Sequence, residues 1–335
     1  MKNQSEIIII GAGLTGLCLA IGLKESGIDS LIIDAHDTTN PNNHKTGIIQ
    51  ENILASIANL DFQKSHIREV KEIEYLDLKD TKIFSTRSER KENLSLINFG
   101  HLISILKKHA QQSGINFKHN TLARNLISEN NIVKGVETEK EKFFSELTVI
   151  TTGFNSKFII NSGLKKGFYS PEELILFFEE TISLKRIKEE KSLKFNLNLT
   201  NFNDLKCFGY LNTARDYISL GVGASLKDLK QNQININDII EECKINEAIS
   251  PLINGGETTN INSYTLPNPS LKNTISNPQS YFNNCILGGA ITGLTDINSD
   301  VIPNSSLENI RKIKDIIINC HKKNDFRKEA MVIKI

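Results

Sequence analysis

The chain has no tryptophan, two methionines, seven prolines and five cysteines in 335 residues, and no surplus of either charge. Each shortage closes off a class of function. Cys18, Cys207, Cys243, Cys285 and Cys320 are widely scattered and form no C-x-x-C pair. No disulfide framework and no metal or cluster site is therefore expected; reduced, partly buried thiols in a cytoplasmic protein are the simplest reading. Lys plus Arg number 40 against 39 for Asp plus Glu, a formal net charge of +1. No nucleic-acid partner is expected from that balance. No apolar run is long enough to cross a bilayer. The start lacks the basic stretch, apolar core and small-residue cleavage site of a signal peptide. What remains is a globular chain with one or two domains and a sizeable core.

What is present is concentrated at the start. Ile7-Ile8-Ile9-Ile10 reads as a short buried parallel strand. Gly11-Ala12-Gly13-Leu14-Thr15-Gly16 turns it into a helix with an apolar face (Leu17, Ala20, Leu23) that stops at Gly27. In such a G-x-G-x-x-G turn the first glycine permits the tight bend and the second lets backbone approach a pyrophosphate. The third lets the helix pack closely on the strand. The pyrophosphate sits at the helix N-terminus, where free N–H groups and the positive dipole end point at it. A second strand, Leu31-Ile32-Ile33, ends in Asp34-Ala35. An acid about 20 residues beyond the glycines is placed to bind the hydroxyls of an adenosine ribose. A glycine-rich turn without a ligand is the alternative reading of the glycines alone.

The rest of the chain does not continue as a simple series of βα units. A polar loop, His36 to Thr46, is followed by helical spacing over Gln50 to Leu60 and a hairpin from Ile73–Leu78 and Lys82–Phe84. Leu102 to Ser113 reads as an amphipathic helix stopped by Gly114, with a strand over Ile115 to Lys118. A meander then leads into the apolar strand Leu147–Ile150, which ends in Thr151-Thr152-Gly153. A second glycine-rich run, Cys285-Ile286-Leu287-Gly288-Gly289-Ala290, lies near the C-terminus. Between these, Ser170, Pro171, Glu172 and Glu173 predict the start of a helix over Pro171 to Leu184. Strands are expected at Leu193–Leu199, Phe208–Leu211 and Tyr217–Val222, the last two turning at Ala214–Asp216. The expected architecture is α/β: a Rossmann-type domain of 1–70, 95–160 and 281–335, with an antiparallel-sheet substrate domain of 71–94 and 161–280 inserted into it. Leu307 to Cys320 reads as an amphipathic helix, packed or touching a membrane surface.

With these segments in view, the chain resembles the FixC-type flavoprotein dehydrogenases, related to electron-transfer-flavoprotein:quinone oxidoreductase and to the geranylgeranyl reductases. The carriers are Gly11–Gly16 with Asp34; Tyr169-Ser170-Pro171-Glu172-Glu173-Leu174 running into Glu180-Thr181-Ile182; Gly209 to Val222, continued by Ser225–Leu229; and Ile249 to Glu257. The resemblance implies a glutathione-reductase-like FAD-binding domain, with FAD in an elongated groove roofed by the sheet domain. It implies cofactor contacts from Gly11, Ala12, Gly13, Leu14, Thr15, Gly16, Asp34, Ala35, Lys45, Thr152, Gly153, Gly288 and Gly289. Tyr210 and Arg215 are the candidates for the substrate side; no side chain stands out as a catalytic acid or base. The implied function is electron transfer between a redox partner, such as an electron-transfer flavoprotein or ferredoxin-like donor, and a quinone-like or isoprenoid acceptor, in the cytoplasm or at the membrane surface.

Four departures from the family pattern stand beside these matches, one of them the polar, glycine-free segment Asp296 to Ser306 in place of the glycine-rich run that follows the C-terminal motif. Gly289 replaces the aspartate of the C-terminal flavin motif, Phe99 and Ile103 replace an arginine and an aspartate, and only Cys320 lies where relatives carry a cysteine cluster. They favour a second reading, a diverged relative that binds a nucleotide or a partner without turnover; a third, an isoprenoid double-bond reductase, requires a long apolar tunnel in the sheet domain.

Overall fold

The computed structural model describes residues 3–36, 46–58, 65–77, 82–87, 94–153, 156–164, 169–187, 189–199, 205–268, 281–292 and 302–331. The chain begins β1 (Gln4–Ile10), α1 (Leu14–Glu25), β2 (Ser30–Ile33), β3 (Thr46–Gln50), α2 (Glu51–Ile57), β4 (His66–Glu69), β5 (Glu72–Asp77), β6 (Lys82–Arg87) and β7 (Leu94–Asn98). It continues α3 (Phe99–Gln112), β8 (Asn116–Lys118), β9 (Ala123–Glu129), β10 (Ile132–Thr138), β11 (Lys142–Ile150) and α4 (Lys157–Asn161). Next come β12 (Leu174–Ser183), β13 (Ser192–Leu199), β14 (Leu205–Thr213), β15 (Tyr217–Ser225), α5 (Leu226–Gln231), α6 (Ile236–Ile245), α7 (Ser250–Ile253) and β16 (Glu257–Pro267). The end is β17 (Tyr281–Phe282), β18 (Cys285–Leu287), α8 (Ile302–Lys323) and α9 (Lys328–Met331).

The apolar strand β1 lies at the centre of a parallel sheet. It pairs with β2 on one side and β11 on the other, β8 joins outside β2, and β18 outside β11. The β9–β10 meander attaches antiparallel to β11. Helix α1 is apolar on every side, and every residue from Gly16 to Leu23 is buried; such a helix must be enclosed. It is covered by α2, α3 and α8. Leu307, Ile310, Ile313, Ile317 and Cys320, spaced at three and four, seal α8 onto this layer. That face of α8 is occupied by protein.

A second sheet runs β16-β12-β15-β14-β13-β5-β6, antiparallel except between β13 and β5. One face packs on α5 and α6 through Ile182, Leu220, Val222, Ile239, Ile240 and Cys243. A third, small sheet runs β3-β7-β4. Arg68 of β4 reaches into the second sheet and donates to Thr213 O at 3.0 Å, Lys191 O at 2.6 Å and Ser192 Oγ at 2.7 Å.

One expected element is wrong. The helix over Pro171 to Leu184 is a single 3-10 turn, Pro171–Glu173, followed by β12. The start signals operate locally: the Glu173 carboxylate accepts from the Ser170 N–H at 2.8 Å. Beyond them, Leu-Ile-Leu-Phe-Phe-Glu-Glu-Thr-Ile has apolar side chains for both faces of a strand enclosed between β15 and β16. Tertiary pairing overrides the cap.

Candidate cofactor and substrate cleft

Helix α1 opens at Leu14 with Gly13 as N-cap, without a side chain capping it and without an acid in its first turn. Its first N–H groups are left for solvent or a ligand. A β-carbon on Gly13 would meet nothing within 4 Å, so this part of the turn faces open space. The flanking glycines are closed in. Gly11, at φ +108, has Thr151 O at 2.7 Å from where a β-carbon would stand, and one on Gly16 would fall 2.0 Å from Gly11 O. The Thr151 hydroxyl holds the turn by donating to Ile10 O and Gly11 O, both at 3.0 Å.

Asp34 closes β2 beside this turn. One carboxylate oxygen accepts from the Ala12 N–H at 2.5 Å and the other from the His36 N–H at 2.8 Å. A carboxylate has about four acceptor positions, so two remain for the hydroxyls of a sugar. Asp34 thus shapes the turn as well as facing the ligand space.

From here a cleft of about 1090 Å³ extends to the second sheet. It is at the upper end of the usual range for ligand sites. Its described lining has positive charge at Arg124, Lys157 and Lys194 and negative charge only at Asp34, a balance suited to a diphosphate. Two hydroxyls on its wall, Thr46 Oγ1 and Thr152 Oγ1, are buried with no hydrogen-bond partner. Buried orphan hydroxyls are costly unless something bonds to them. The open Gly13 peptide, the uncapped helix and these two oxygens fit an elongated dinucleotide such as FAD.

The far end is aromatic. Phe177 of β12 and Tyr264 of β16 stack at 5.4 Å between centroids and 7° between planes, and Phe208 of β14 meets Phe177 edge-on at 5.1 Å. Tyr210 lies beside them, and its hydroxyl donates to Glu179, which also accepts from Ser219 Oγ at 3.0 Å. Burial, reinforced by Glu179 and Tyr264, raises the Tyr210 hydroxyl well above the ordinary phenol range. Lys194 sits over the Tyr75 ring at 5.4 Å.

Of the residues expected at the site, Gly11, Gly13, Leu14, Thr15, Asp34, Ala35, Thr152, Gly153 and Tyr210 line this cleft. Ala12 acts through its bond to Asp34, and Gly16 packs beneath the turn. His44 and Lys45 fall outside the described residues. Gly288 backs onto Ile310 and Ile313 of α8 rather than onto the cleft. The Gly289 N–H donates to Asn309 Oδ1 at 2.9 Å, and the Thr15 side chain fills the space where its β-carbon would stand. Ala290 is the residue of that run on the cleft wall. Arg215 stands on the exposed β14–β15 turn and does not line the cleft; a charge at a tight turn is held to solvent. Phe99 and Ile103 do line it, presenting carbon where the resemblance expects charge. Phe177, Phe208 and Tyr264 also line the cleft; the sequence does not single them out, Phe177 because its segment carries a helix-start signal, and Glu179 lies buried behind them. The available signal was the pair Gly221 and Gly223, whose bare backbone makes room for large rings on neighbouring strands. Among the described residues no group of three or more His, Cys, Asp or Glu is placed to hold a metal. No helix of the described residues is long and apolar enough to cross a membrane.

Residues 4–170 match the FAD binding domain family. The probable electron transfer flavoprotein-quinone oxidoreductase YdiS of Escherichia coli (strain K12) is 23% identical over 288 residues, 80% of this chain and 66% of that protein. Protein FixC of Azotobacter vinelandii is 24% identical over 285 residues, 80% of this chain and 65% of its own length. The chain thus spans just under two thirds of the length of these relatives. Among solved structures, a geranylgeranyl bacteriochlorophyll reductase-like protein from Thermoplasma acidophilum superposes with a TM-score of 0.80 at 15% identity, over 98% of this chain and 81% of the other. PqsL, a probable FAD-dependent monooxygenase from Pseudomonas aeruginosa, gives 0.75 at 11% identity over 98% and 90%. Both share the fold.

Proposed function

On the premise that residues 4–170 form a domain of the FAD-binding family, we propose that the chain is an FAD-dependent oxidoreductase. It passes electrons between a redox partner and a quinone-like or isoprenoid acceptor. The observation that carries this is the single cleft linking the uncapped start of α1 and Asp34 to the aromatic face of the second sheet. Bound FAD supplies reversible two-electron chemistry; the protein supplies binding, orientation and the electrostatic setting. The N–H groups at Gly13 to Thr15 and the dipole of α1 hold the diphosphate. Asp34 accepts from the ribose hydroxyls, and Thr46 and Thr152 bond polar atoms along the cofactor. The second sheet, with β5 and β6, forms an inserted cap domain over the ring end and keeps water from it. The names of two relatives, electron transfer flavoprotein-quinone oxidoreductases, support an electron-transfer flavoprotein and a quinone as the partners; a ferredoxin-like donor and contact at a membrane surface are part of the same proposal.

A second reading, a relative that binds nucleotide without turnover, is favoured by the apolar wall at Phe99 and Ile103. Absorbance of the purified protein, before and after incubation with FAD, separates the two. The oxidoreductase reading requires a yellow protein whose flavin bands bleach on reduction and return when a soluble quinone is added. A colourless protein that FAD cannot load refutes it. A yellow protein that reduces no acceptor supports the second reading.

A further inference from the structure

Strand β15 bears Gly221 and Gly223 on the side that faces the cleft, and the strands beside it supply the large side chains. At Gly221 the register sets Glu179 of β12 on one side and Tyr210 of β14 on the other. A β-carbon on Gly221 would stand 2.6 Å from two ring carbons of Tyr210. The ring therefore lies across β15 and carries its hydroxyl to the carboxylate two strands away. Glu179 is 0% exposed. Burying a carboxylate is expensive even with hydrogen bonds, and its neighbour on the same face, Phe177, shows that carbon serves the roof equally well.

We propose that Tyr210, oriented by Glu179, is the group by which the roof of the cleft recognises a hydroxyl on a planar ring bound beneath it. The polarity follows from the inventory of donors. Glu179 already takes the single proton of Tyr210. The phenol oxygen also meets the Tyr264 hydroxyl, so what it has left for the cleft is one acceptor position, and the partner it suits is a donor: a ring hydroxyl rather than a carbonyl or an ether. The high pKa of Tyr210 keeps its proton on oxygen. The stacked Phe177 and Tyr264, with Phe208 edge-on, give a flat ring a surface to lie against. The hydroxyl of Tyr264 interacts with that of Tyr210, which fixes the ring from its other side. Tyr210 touches the ligand, whereas Glu179 is a positioning residue. The inference rests on the proposed function only in placing the ligand between this face and the flavin.

The test is calorimetric titration of the FAD-loaded protein with 2-naphthol and with 2-methoxynaphthalene, which share a ring and differ in the donor. The naphthol is expected to bind about tenfold more tightly, the worth of one good hydrogen bond. Tyr210→Phe and Glu179→Gln bring the preference to within about threefold while flavin content, read from absorbance, stays at the parent level. Gly221→Ala, which displaces the ring without altering either partner, does the same and serves if Tyr210→Phe fails to fold. Equal binding of the two probes by the parent protein, binding of neither, or a preference that survives the substitutions overturns the inference. If FAD does not load and the same titration still shows the preference, the oxidoreductase reading fails and this one stands. A flavin-loaded protein without the preference gives the reverse.

Discussion

Gly13→Val separates the ligand-binding role of the first turn from its role in folding. Gly13 has φ −75 and ψ −176, an extended conformation that any residue adopts. Its β-carbon would meet nothing within 4 Å. The cost to the apo fold is then only the poorer N-cap, about 1 kcal/mol. The isopropyl group, however, fills the open space at the start of α1, which the proposed function assigns to the diphosphate. Losing two hydrogen bonds to a charged group, at roughly 1.5–3 kcal/mol each, weakens FAD binding by about 10²- to 10⁴-fold. Gly16→Ala is the contrasting lesion, because its β-carbon falls 2.0 Å from Gly11 O and 2.7 Å from Thr151 Oγ1. Strand and helix must separate, and apo stability drops by roughly 1–3 kcal/mol or more. The assay pairs quenching of flavin fluorescence on titration into apo protein with urea unfolding of the same samples. FAD affinity within about threefold of the parent in Gly13→Val, or an apo stability as low as that of Gly16→Ala, refutes the reasoning.

Burial raises the thiols of Cys18, Cys207 and Cys285 to about 12 and that of Cys243 higher still. The folded protein at pH 8 is expected to give almost no rapid reaction with an aromatic disulfide reagent, and all five thiols after unfolding; more than one fast thiol in the folded protein contradicts this. Asp325 is held down to about 2 from an ordinary 3.8 by hydrogen bonds from the Arg327 side chain and N–H. A depressed folded-state pKa stabilises above the ordinary value and is lost as pH falls through about 2. Arg327→Ala should therefore flatten the stability profile between pH 4 and 2, followed by thermal melting. An unchanged slope counts against that pairing.

The parallel sheet and the diphosphate end of the cleft were legible because their signals are local. Four isoleucines, three glycines and an acid lie within one stretch, and backbone sterics tie each to its place. The turn at Ala214–Asp216 and the strands around it were legible for the same reason. The roof was not, because its cleft face is assembled from β12, β14, β15 and β16, and side chains that meet there are far apart in the chain. The misread helix shows how this happens: Ser170 and Glu173 made a valid start signal, and nothing local said that the next ten residues would be enclosed by partners from 217–225 and 257–267. Gly288 and Gly289 show the converse. A glycine pair after an apolar strand looks like ligand contact, yet here Gly288 admits α8 and Gly289 makes room for Thr15. That Thr15 occupies the space beside Gly289 is visible only in three dimensions.

The clamp of Thr151 on the first turn also bears on when the protein acquires its ligand. The hydroxyl that fixes Gly11 comes from 140 positions downstream, and β18, still further on, completes the sheet that steadies it. A nascent chain that has not reached Thr151 carries every glycine of the motif and the local bonds to Ile33 and Asp34, but not the hydroxyl that closes it. Long-range closure of this kind is slow, so a dinucleotide is expected to bind folded molecules and, by mass action, to draw them away from incomplete ones.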